Sequence, residues 1–246
     1  ALRRDRGLDL HHQTQWALPD MEIVGMEALI RWTTWDGVEV PPSEFIPTVE
    51  QTSMIGALTR WVLARAARDM SCAPGSPPRV AVNVSARSLA EPRFVEQVTE
   101  SFAWSGEIDL TRLELEITET ALMAAPDRAR RNLAALRDLG LTVALDDFGT
   151  GYSSLGMLRT LPVDTIKIDQ SFVIGVEHDP TARRLVGGIV DLAHALDLTV
   201  VAEGIENEMA LEIVCECGCD VGQGFHLGRP GPVAAAAEPI PAAGSR

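Results

Sequence analysis

Seven apolar segments of this chain each end in, or beside, a residue whose side chain carries a carboxylate, amide or amino group. These residues are Glu27, Asn83, Glu116 with Glu119, Asp146 with Asp147, Lys167 with Asp169, Glu203 with Glu206, and Gln223. Stretches with helical patterns separate the apolar segments, and this alternation predicts a parallel sheet covered by helices. A closed ring of such strands would bring the polar side chains to one common point.

The length of 246 residues fits a single (β/α)8 TIM-like barrel. An open doubly wound sheet would gather its ligands at one switch point, whereas polar residues here follow strands all along the chain. Residues 10–32 have the pattern of a hairpin around Pro19-Asp20, so we expect one antiparallel strand in the barrel. Further strands are predicted at 79–85, 113–120, 142–147, 165–169, 199–203 and 219–226, and helices at 42–52, 54–70, 92–103, 126–140, 153–160, 181–196 and 207–217.

We expect one domain over residues 1–230 and a Pro/Ala-rich, disordered tail over 231–246. The first residues lack the apolar core of a signal peptide and resemble the end of a helix cut from a longer protein. No stretch approaches the ~20 apolar residues of a membrane helix. The predicted location is therefore cytoplasmic, either as a free protein or as the cytoplasmic part of a larger membrane-bound one.

The net charge of −14 argues against binding to duplex nucleic acid. It does not exclude a small phosphodiester, because bound divalent cations would invert the local charge. The C-x-C-x-C cluster of Cys215, Cys217 and Cys219 lacks the paired C-x-x-C groups of a zinc site. We interpret these thiols as packing residues, with a metal or redox role as the alternative.

The residues at the strand ends offer mainly carboxylate and amide oxygens, which suit Mg²⁺ or Mn²⁺ and not zinc. Asp146-Asp147 is the sharpest local signal, because neighbouring strand residues point to opposite faces unless the strand ends there. Gly149 and Gly151 would allow the backbone to turn at that point. One aspartate could then bridge two cations ~3.5–4 Å apart, an arrangement that acts on phosphate esters. A pair of helix-capping aspartates is the alternative.

Several long motifs stand in order over residues 8–230. They are Glu27-Ala28-Leu29, VNVSAR (82–87), LEITET (115–120), ALDDFGTGYSSL (144–155), KID (167–169), AEGIE (202–206) and GCDVGQGF (218–225). On these motifs the chain resembles the EAL-domain family of cyclic-di-GMP phosphodiesterases.

The resemblance implies a site that holds Mg²⁺ or Mn²⁺, with two ions in it. The metal ligands it implies are Glu27, Asn83, Glu116, Asp146, Asp147 and Glu203, with Asp146 shared between the two ions. It implies that Lys167 contacts the attacking water, that Gln223 assists metal-bound water and that Arg31 holds a substrate phosphate. Gln13 and Asp169 are further candidates for substrate contact, while Glu119 and Glu206 would support the site, Glu119 by steadying the loop 148–154.

Lys167 has two possible roles in such a site. It can act as a general base only if nearby cations lower its pKa; otherwise it positions other groups electrostatically, which is the role we favour. Glu27, Asp146, Lys167 and Gln223 are accordingly the residues that we expect to take part in catalysis.

The activity implied by the resemblance is hydrolysis of cyclic-di-GMP to linear pGpG in bacterial second-messenger signalling. It also implies a homodimer and, in the full-length protein, an upstream sensor or GGDEF domain. Two other functions are left open: a receptor that binds cyclic-di-GMP without cleaving it, and a barrel phosphoesterase with another substrate.

Overall fold

The computed structural model describes residues 7–72, 79–103, 109–150 and 158–233, and eight strands of this part close into a ring. The strands in chain order are β1 (Leu8–Ala17), β2 (Glu22–Thr33), β3 (Glu39–Val40), β4 (Val80–Asn83), β5 (Leu113–Thr118), β6 (Thr142–Phe148), β7 (Thr165–Ile168), β8 (Thr199–Ala202) and β9 (Val221–Gly222). Around the ring they follow the order β1-β9-β8-β7-β6-β5-β4-β2, and β1 pairs with β2 to close it; β3 is attached to β2 outside the ring.

β1 is antiparallel to both of its neighbours, β2 and β9. The other neighbouring strands of the ring are parallel to one another. This confirms the predicted TIM-like barrel with one antiparallel strand from the N-terminal hairpin. In such a barrel the carboxyl ends of the parallel strands meet at one rim.

Helices cover the outside of the ring. They are α1 (Pro42–Glu50), α2 (Ile55–Cys72), α3 (Ala86–Leu89), α4 (Phe94–Ala103), α5 (Glu119–Ala124), α6 (Pro126–Asp138), α7 (Gln170–Val173), α8 (Pro180–His194) and α9 (Glu208–Glu216). Local sequence fixes several of their starts: Asp179 and Asn207 accept hydrogen bonds from the first turns of α8 and α9, and proline occupies the first turn of α6.

The side chains of β5 alternate between the inside of the barrel and the apolar layer between the ring and the helices. Leu113, Leu115 and Ile117 are buried in the apolar core between the ring and the helices. Glu114 and Glu116 alternate with them and therefore point into the barrel, where both are also buried. Glu114 accepts hydrogen bonds from Arg79 and Thr165, and these partners give the buried carboxylate a structural role.

Five predicted strands, 79–85, 113–120, 165–169, 199–203 and 219–226, are longer than the observed ones, and two of them show the physical reason. Strand 113–120 ends at Thr118, because the Thr118 hydroxyl caps α5 by accepting from the Ala121 N–H at 3.3 Å. Strand 219–226 is reduced to β9, because the chain turns after Gly222 to pair with Ile205, whose N–H donates to the Gln223 carbonyl at 3.1 Å. The short helices α3, α5 and α7 and the two-residue strand β3 were not predicted.

Some predictions lie wholly or partly outside the described residues. They concern residues 1–6, most of helix 153–160, residues 151–154 of the loop, and residues 234–246 of the tail. Within the described ranges, none of the helices combines the length and apolar content that crossing a membrane requires. Cys215, Cys217 and Cys219 are free thiols where α9 leads into β9, and burial raises the pKa of Cys219 to about 12.

Candidate active site

Each strand of the ring supplies one polar residue to a single connected network. Hydrogen bonds and ion pairs join Gln13, Glu27, Asn83, Glu116, Asp146, Lys167, Glu203 and Gln223. The first six belong to β1, β2, β4, β5, β6 and β7, while Glu203 and Gln223 directly follow β8 and β9. Barrel closure thus brings together residues that are up to 210 positions apart in the sequence.

Lys167 lies at the centre of this network and is 1% exposed. Its Nζ is 2.7 Å from Glu116 Oε1 and 2.7 Å from Glu203 Oε1. Asp146 Oδ1 and Glu27 Oε2 lie farther away, at 3.4 Å and 3.6 Å. A buried ammonium requires such partners, since an isolated charge in a protein interior is costly.

The charges of the site shift one another's protonation. Burial acts to lower the pKa of Lys167, but the carboxylates around it outweigh this and raise its pKa well above the usual value. Burial, together with the neighbouring Glu27 charge, raises the pKa of Glu116 well above its ordinary range. Burial raises the pKa of Glu203 to about 7. The metal-free site therefore holds a protonated lysine and carboxyl groups that accept protons easily.

Glu27 is held from two sides by side-chain amides. Asn83 Nδ2 donates to Glu27 Oε1 at 2.7 Å and also to Glu116 Oε2 at 3.0 Å. Gln223 Nε2 donates to Glu27 Oε2 at 2.6 Å. Burial acts to raise the pKa of Glu27, but the Lys167 charge and the hydrogen bonds outweigh it, so its pKa is lowered. Glu27 is accordingly an ionised, oriented carboxylate.

The Asp146-Asp147 pair sits where β6 leaves its regular geometry. Asp147 has a φ of 53°, in the left-handed region, and the pairing of β6 with β7 shifts between Leu145 and Phe148. The backbone therefore leaves regular strand geometry at this pair as predicted, but as an irregularity within β6, which ends only at Phe148. The Asp147 carboxyl is more exposed than that of Asp146; burial, and then the Asp146 charge, raise its pKa. This conformation costs a non-glycine residue roughly 1 kcal/mol or more.

A hydrogen bond between Gly149 and Glu119 anchors the start of the loop 148–154. Gly149 has a φ of 99°, and a Cβ there would lie 2.8 Å from the Phe172 ring. Its N–H donates to Glu119 Oε1 at 3.3 Å, and Glu119 is buried at the first position of α5. Glu119 thus contacts the loop at its described end, as expected for a residue that steadies it.

Three predicted site residues lie at the edge of the network. Arg31 donates to the Ile30 carbonyl and lies 3.8 Å from the exposed Glu39. Asp169 accepts hydrogen bonds from the backbone and hydroxyl of Ser171 at the start of α7. Glu206 is exposed and lines a cavity of about 280 Å³ above the acidic cluster, which consists of Glu27, Asp146 and Glu203. Gln13 and Gln223 also line this cavity.

The sequence analysis missed Gln15, which is buried and donates through Nε2 to Gln223 Oε1 at 3.0 Å. The signal was its position two residues after Gln13 on the same strand, because residues i and i+2 share a face. Phe225, which lines the same cavity half-exposed and lies under the Arg229 guanidinium at 4.4 Å, was also missed.

The donor set fits a hard divalent cation in its chemistry, since it consists of carboxylate and amide oxygens. Asp146 Oδ1 is buried and has no hydrogen-bond partner among the described residues, so its lone pairs are available to a cation. Within the described ranges, however, no group of three or more His, Cys, Asp or Glu side chains is arranged so that it could hold a metal ion. A cation would have to compete with the Lys167 ammonium for these oxygens.

Comparison with protein families gives one match across nearly the whole chain: the profile of the EAL domain matches residues 1–230. A Pseudomonas aeruginosa protein named cyclic di-GMP phosphodiesterase NbdA is 40% identical over 238 residues, which are 96% of this chain and 30% of that protein. Cyclic di-GMP phosphodiesterase PA2567 of the same organism is 37% identical over 232 residues, covering 94% of this chain and 39% of that protein. The chain thus spans roughly a third of the length of these relatives.

Solved structures show the same architecture. The PaMucR phosphodiesterase in complex with c-di-GMP is 37% identical, with a TM-score of 0.87 and 94% of each chain covered. The EAL enzyme Bd1971, with cAMP and cyclic-di-GMP bound, is 28% identical with a TM-score of 0.88, over 96% of this chain and 65% of that one.

Proposed function

The chain belongs to the EAL-domain family, and on this basis and that of its site we propose that it hydrolyses cyclic-di-GMP to linear pGpG with bound Mg²⁺ or Mn²⁺. The observation that carries the proposal is the network at the barrel rim, to which all eight strands contribute. It unites Glu27, Asn83, Glu116, Asp146, Lys167 and Gln223 by direct contacts, with Glu203 bound to Lys167.

Six residues of this rim would hold the cations. They are Glu27, Asn83, Glu116, Asp146, Asp147 and Glu203, which offer oxygen ligands of the kind that Mg²⁺ and Mn²⁺ prefer. Two bound cations would supply charge stabilisation for in-line attack of water on the phosphodiester. Asn83 and Gln223 would keep the Glu27 oxygens oriented, because their amides already donate to both of them.

Lys167 acts in this proposal as an electrostatic positioner. As the protein stands, the surrounding carboxylates raise its pKa, so it carries its proton and has no lone pair with which to accept another. A role as general base would require bound cations to lower that pKa. Arg31 lies four residues beyond Glu27 on β2 and on the same face, where its planar guanidinium could hold a second substrate phosphate.

A cavity of about 400 Å³ beside the acidic cluster supports a ligand with flat bases. It lies between α1, α2 and the ends of β2 and β4, and its lining is mainly apolar, with Leu58, Ile46 and Val84 among the lining residues. Asn83 lines this cavity and contacts Glu27, while Leu29 lines both this cavity and the one above the carboxylates. A phosphate at the carboxylates would thus leave an attached base next to an apolar surface of suitable size.

We further propose that residues 1–230 form the catalytic domain and that this domain acts as a homodimer; Gly231, the first residue of the predicted tail, still pairs with His12 on β1. In the full-length protein, a sensor or GGDEF domain would precede it. The cytoplasmic location and the lack of binding to duplex nucleic acid stay predictions from the sequence. Asp169, Glu119 and Glu206 would support substrate or loop from the edge of the site.

The test is to incubate the protein with cyclic-di-GMP and Mg²⁺ or Mn²⁺ and to separate the products by chromatography. Wild-type protein should form pGpG, Glu27→Ala should not, and a chelator should abolish the reaction. Glu22→Ala is the matched control, because Glu22 lies exposed at the opposite end of the same strand.

Each other outcome selects a different function. Binding of cyclic-di-GMP without product would identify a receptor. Equally fast cleavage of an unrelated nucleotide diester would identify a phosphoesterase of another specificity. If the protein neither binds nor cleaves cyclic-di-GMP, the proposed function is refuted.

A further inference from the structure

Gln15 is a buried glutamine on β1 whose amide points toward the acidic site. It is 4% exposed and lies two residues after Gln13, so both side chains point into the barrel. Its Nε2 donates to Gln223 Oε1 at 3.0 Å. Among the described residues, Gln15 forms no hydrogen bond with any of the four carboxylates around Lys167, so any influence on them passes through Gln223.

The side-chain amide of Gln223 forms hydrogen bonds through both its nitrogen and its oxygen. Its Nε2 donates to Glu27 Oε2 at 2.6 Å and to Gln13 Oε1 at 3.2 Å. A primary amide nitrogen has two hydrogens, so these bonds use both of them. The Gln223 oxygen is buried and points the other way, where Gln15 supplies its donor. If the amide rotated by half a turn, its oxygen would face the Glu27 carboxylate, and two acceptors would oppose each other.

Gln13 fixes one side of this arrangement independently. Its Nε2 donates to the Gly228 carbonyl at 2.8 Å, so its oxygen is left to accept from Gln223. The backbone of the preceding residue, His12, pairs with Gly231. The segment after β9 therefore holds Gln13 from outside the barrel.

Gly25 leaves space for the carboxamide of Gln15, and the acceptor Gln223 Oε1 selects the orientation in which the Gln15 nitrogen faces it. A Cβ on Gly25 would lie 2.9 Å from Gln15 Oε1, closer than such contacts allow. Glycine at position 25, opposite Gln15 on β2, thus makes space for this oxygen. With the oxygen against Gly25, the Gln15 nitrogen faces Gln223.

We propose that Gln15 is a positioning residue that fixes the orientation of the Gln223 amide and, through it, the Glu27 carboxylate. The consequence for catalysis rests on the proposed function; the orientation of the amide does not. Gln15→Met removes the donor at nearly constant volume, and Gln15→Glu presents an acceptor to Gln223 Oε1. Asn132→Leu is the matched control, because it removes a buried carboxamide on α6, outside the barrel, that donates to the backbone carbonyls of Leu89 and Glu91.

The first measurement is solvent exchange of the Gln223 side-chain amide protons by NMR in metal-free protein, assigned from the signal that Gln223→Met lacks. We expect exchange at least ~10-fold faster in Gln15→Met than in wild type, and unchanged exchange in Asn132→Leu. If Gln15→Met fails to fold, Gln15→Glu provides the same comparison. Equal exchange in wild type and either folded Gln15 variant would overturn the proposal.

The second measurement is a double-mutant cycle on cyclic-di-GMP hydrolysis. Gln15→Met should lower kcat on the order of tenfold with little change in KM, and should have no further effect in a Gln223→Met background. An equal loss in both backgrounds would show that Gln15 does not act through Gln223 and would overturn the proposal. If wild-type protein cleaves no cyclic-di-GMP, the proposed function fails, and the exchange measurement alone decides the role of Gln15.

Discussion

Replacing Lys167 by methionine should destabilise the metal-free protein strongly, although the two side chains are similar in length and both are largely apolar. The ammonium of Lys167 contacts Glu116 and Glu203 at 2.7 Å each. At an effective dielectric constant of ~20, each of these attractions is worth about 6 kcal/mol before the desolvation penalty is subtracted. Removal of one partner from a buried ion pair typically costs about 3–5 kcal/mol.

Two features of the site place the expected loss within this range. Glu27 and Asp146 also lie near the ammonium, at 3.6 Å and 3.4 Å, so Lys167→Met leaves four acidic groups without their cation. Some of this cost is relieved by proton uptake, because burial already raises the pKa of Glu203 to about 7. We therefore expect a loss of about 3 kcal/mol in the free energy of unfolding near neutral pH.

The assay is urea unfolding of wild type and Lys167→Met at pH 7.5 with a chelator present, followed by circular dichroism. Arg93→Met serves as control, since Arg93 is exposed and its ion pairs, at 3.7 Å, lie on the surface of α4; it should change stability by less than about 0.5 kcal/mol. A loss below about 1 kcal/mol for Lys167→Met would refute the electrostatic argument. It would mean that the carboxylates are neutral or separate when the lysine is absent.

Three further predictions concern a bound cation, the buried His12 and two glycines. Mg²⁺ at 100 times its dissociation constant should raise the free energy of unfolding by about 2.7 kcal/mol, and a chelator should reverse this; an unchanged unfolding midpoint would argue against a cation site. Burial lowers the pKa of His12 below 6.5, so the unfolded chain binds its proton more tightly. The contribution of neutral His12 to the free energy of unfolding is therefore fully present above pH 6.5. It declines as the pH falls toward the lower pKa of His12 in the folded protein. His12→Leu should flatten this decline in pH-dependent unfolding, and an unchanged slope would contradict it. Gly224→Ala should cost about 3 kcal/mol, because its Cβ would lie 2.2 Å from the Ile205 carbonyl oxygen. Gly187→Ala, in α8 where the added Cβ would meet no atom outside its own helix within 4 Å, should instead stabilise by about 0.5–1 kcal/mol in the same urea unfolding assay; equal effects of the two alanines would refute the steric argument.

The sequence alone determined the class of fold and predicted most of the residues that meet in the network around Lys167. Apolar segments that end in ligand-type residues predicted the barrel, since side-chain periodicity and burial are local properties that the sequence displays. In β5, the alternation LELEIT puts Glu116 on the face opposite to the buried leucines, which is the inside of the barrel. The hairpin around Pro19-Asp20 predicted the antiparallel strand β1, which pairs with both β2 and β9.

The ends of strands were harder to predict from the sequence where tertiary contacts override the local preference for a strand. The apolar run after Cys219 reads as a strand, yet β9 ends at Gly222 because Gly224 packs against the backbone of Ile205. Thr118 closes β5 by capping α5, so Glu119 begins a helix and is not the end of a strand.

The tertiary structure decided how the site residues interact. The sequence predicted that Lys167 and the carboxylates share one rim, but not that the ammonium bonds Glu116 and Glu203 at 2.7 Å each and keeps its proton. Likewise, Gln15 is an ordinary polar residue in the sequence and becomes a partner of Gln223 only when β1 and β9 meet. Periodicity fixes which face a side chain occupies, whereas the distances between side chains on different strands depend on how the ring closes, and no local pattern encodes that closure.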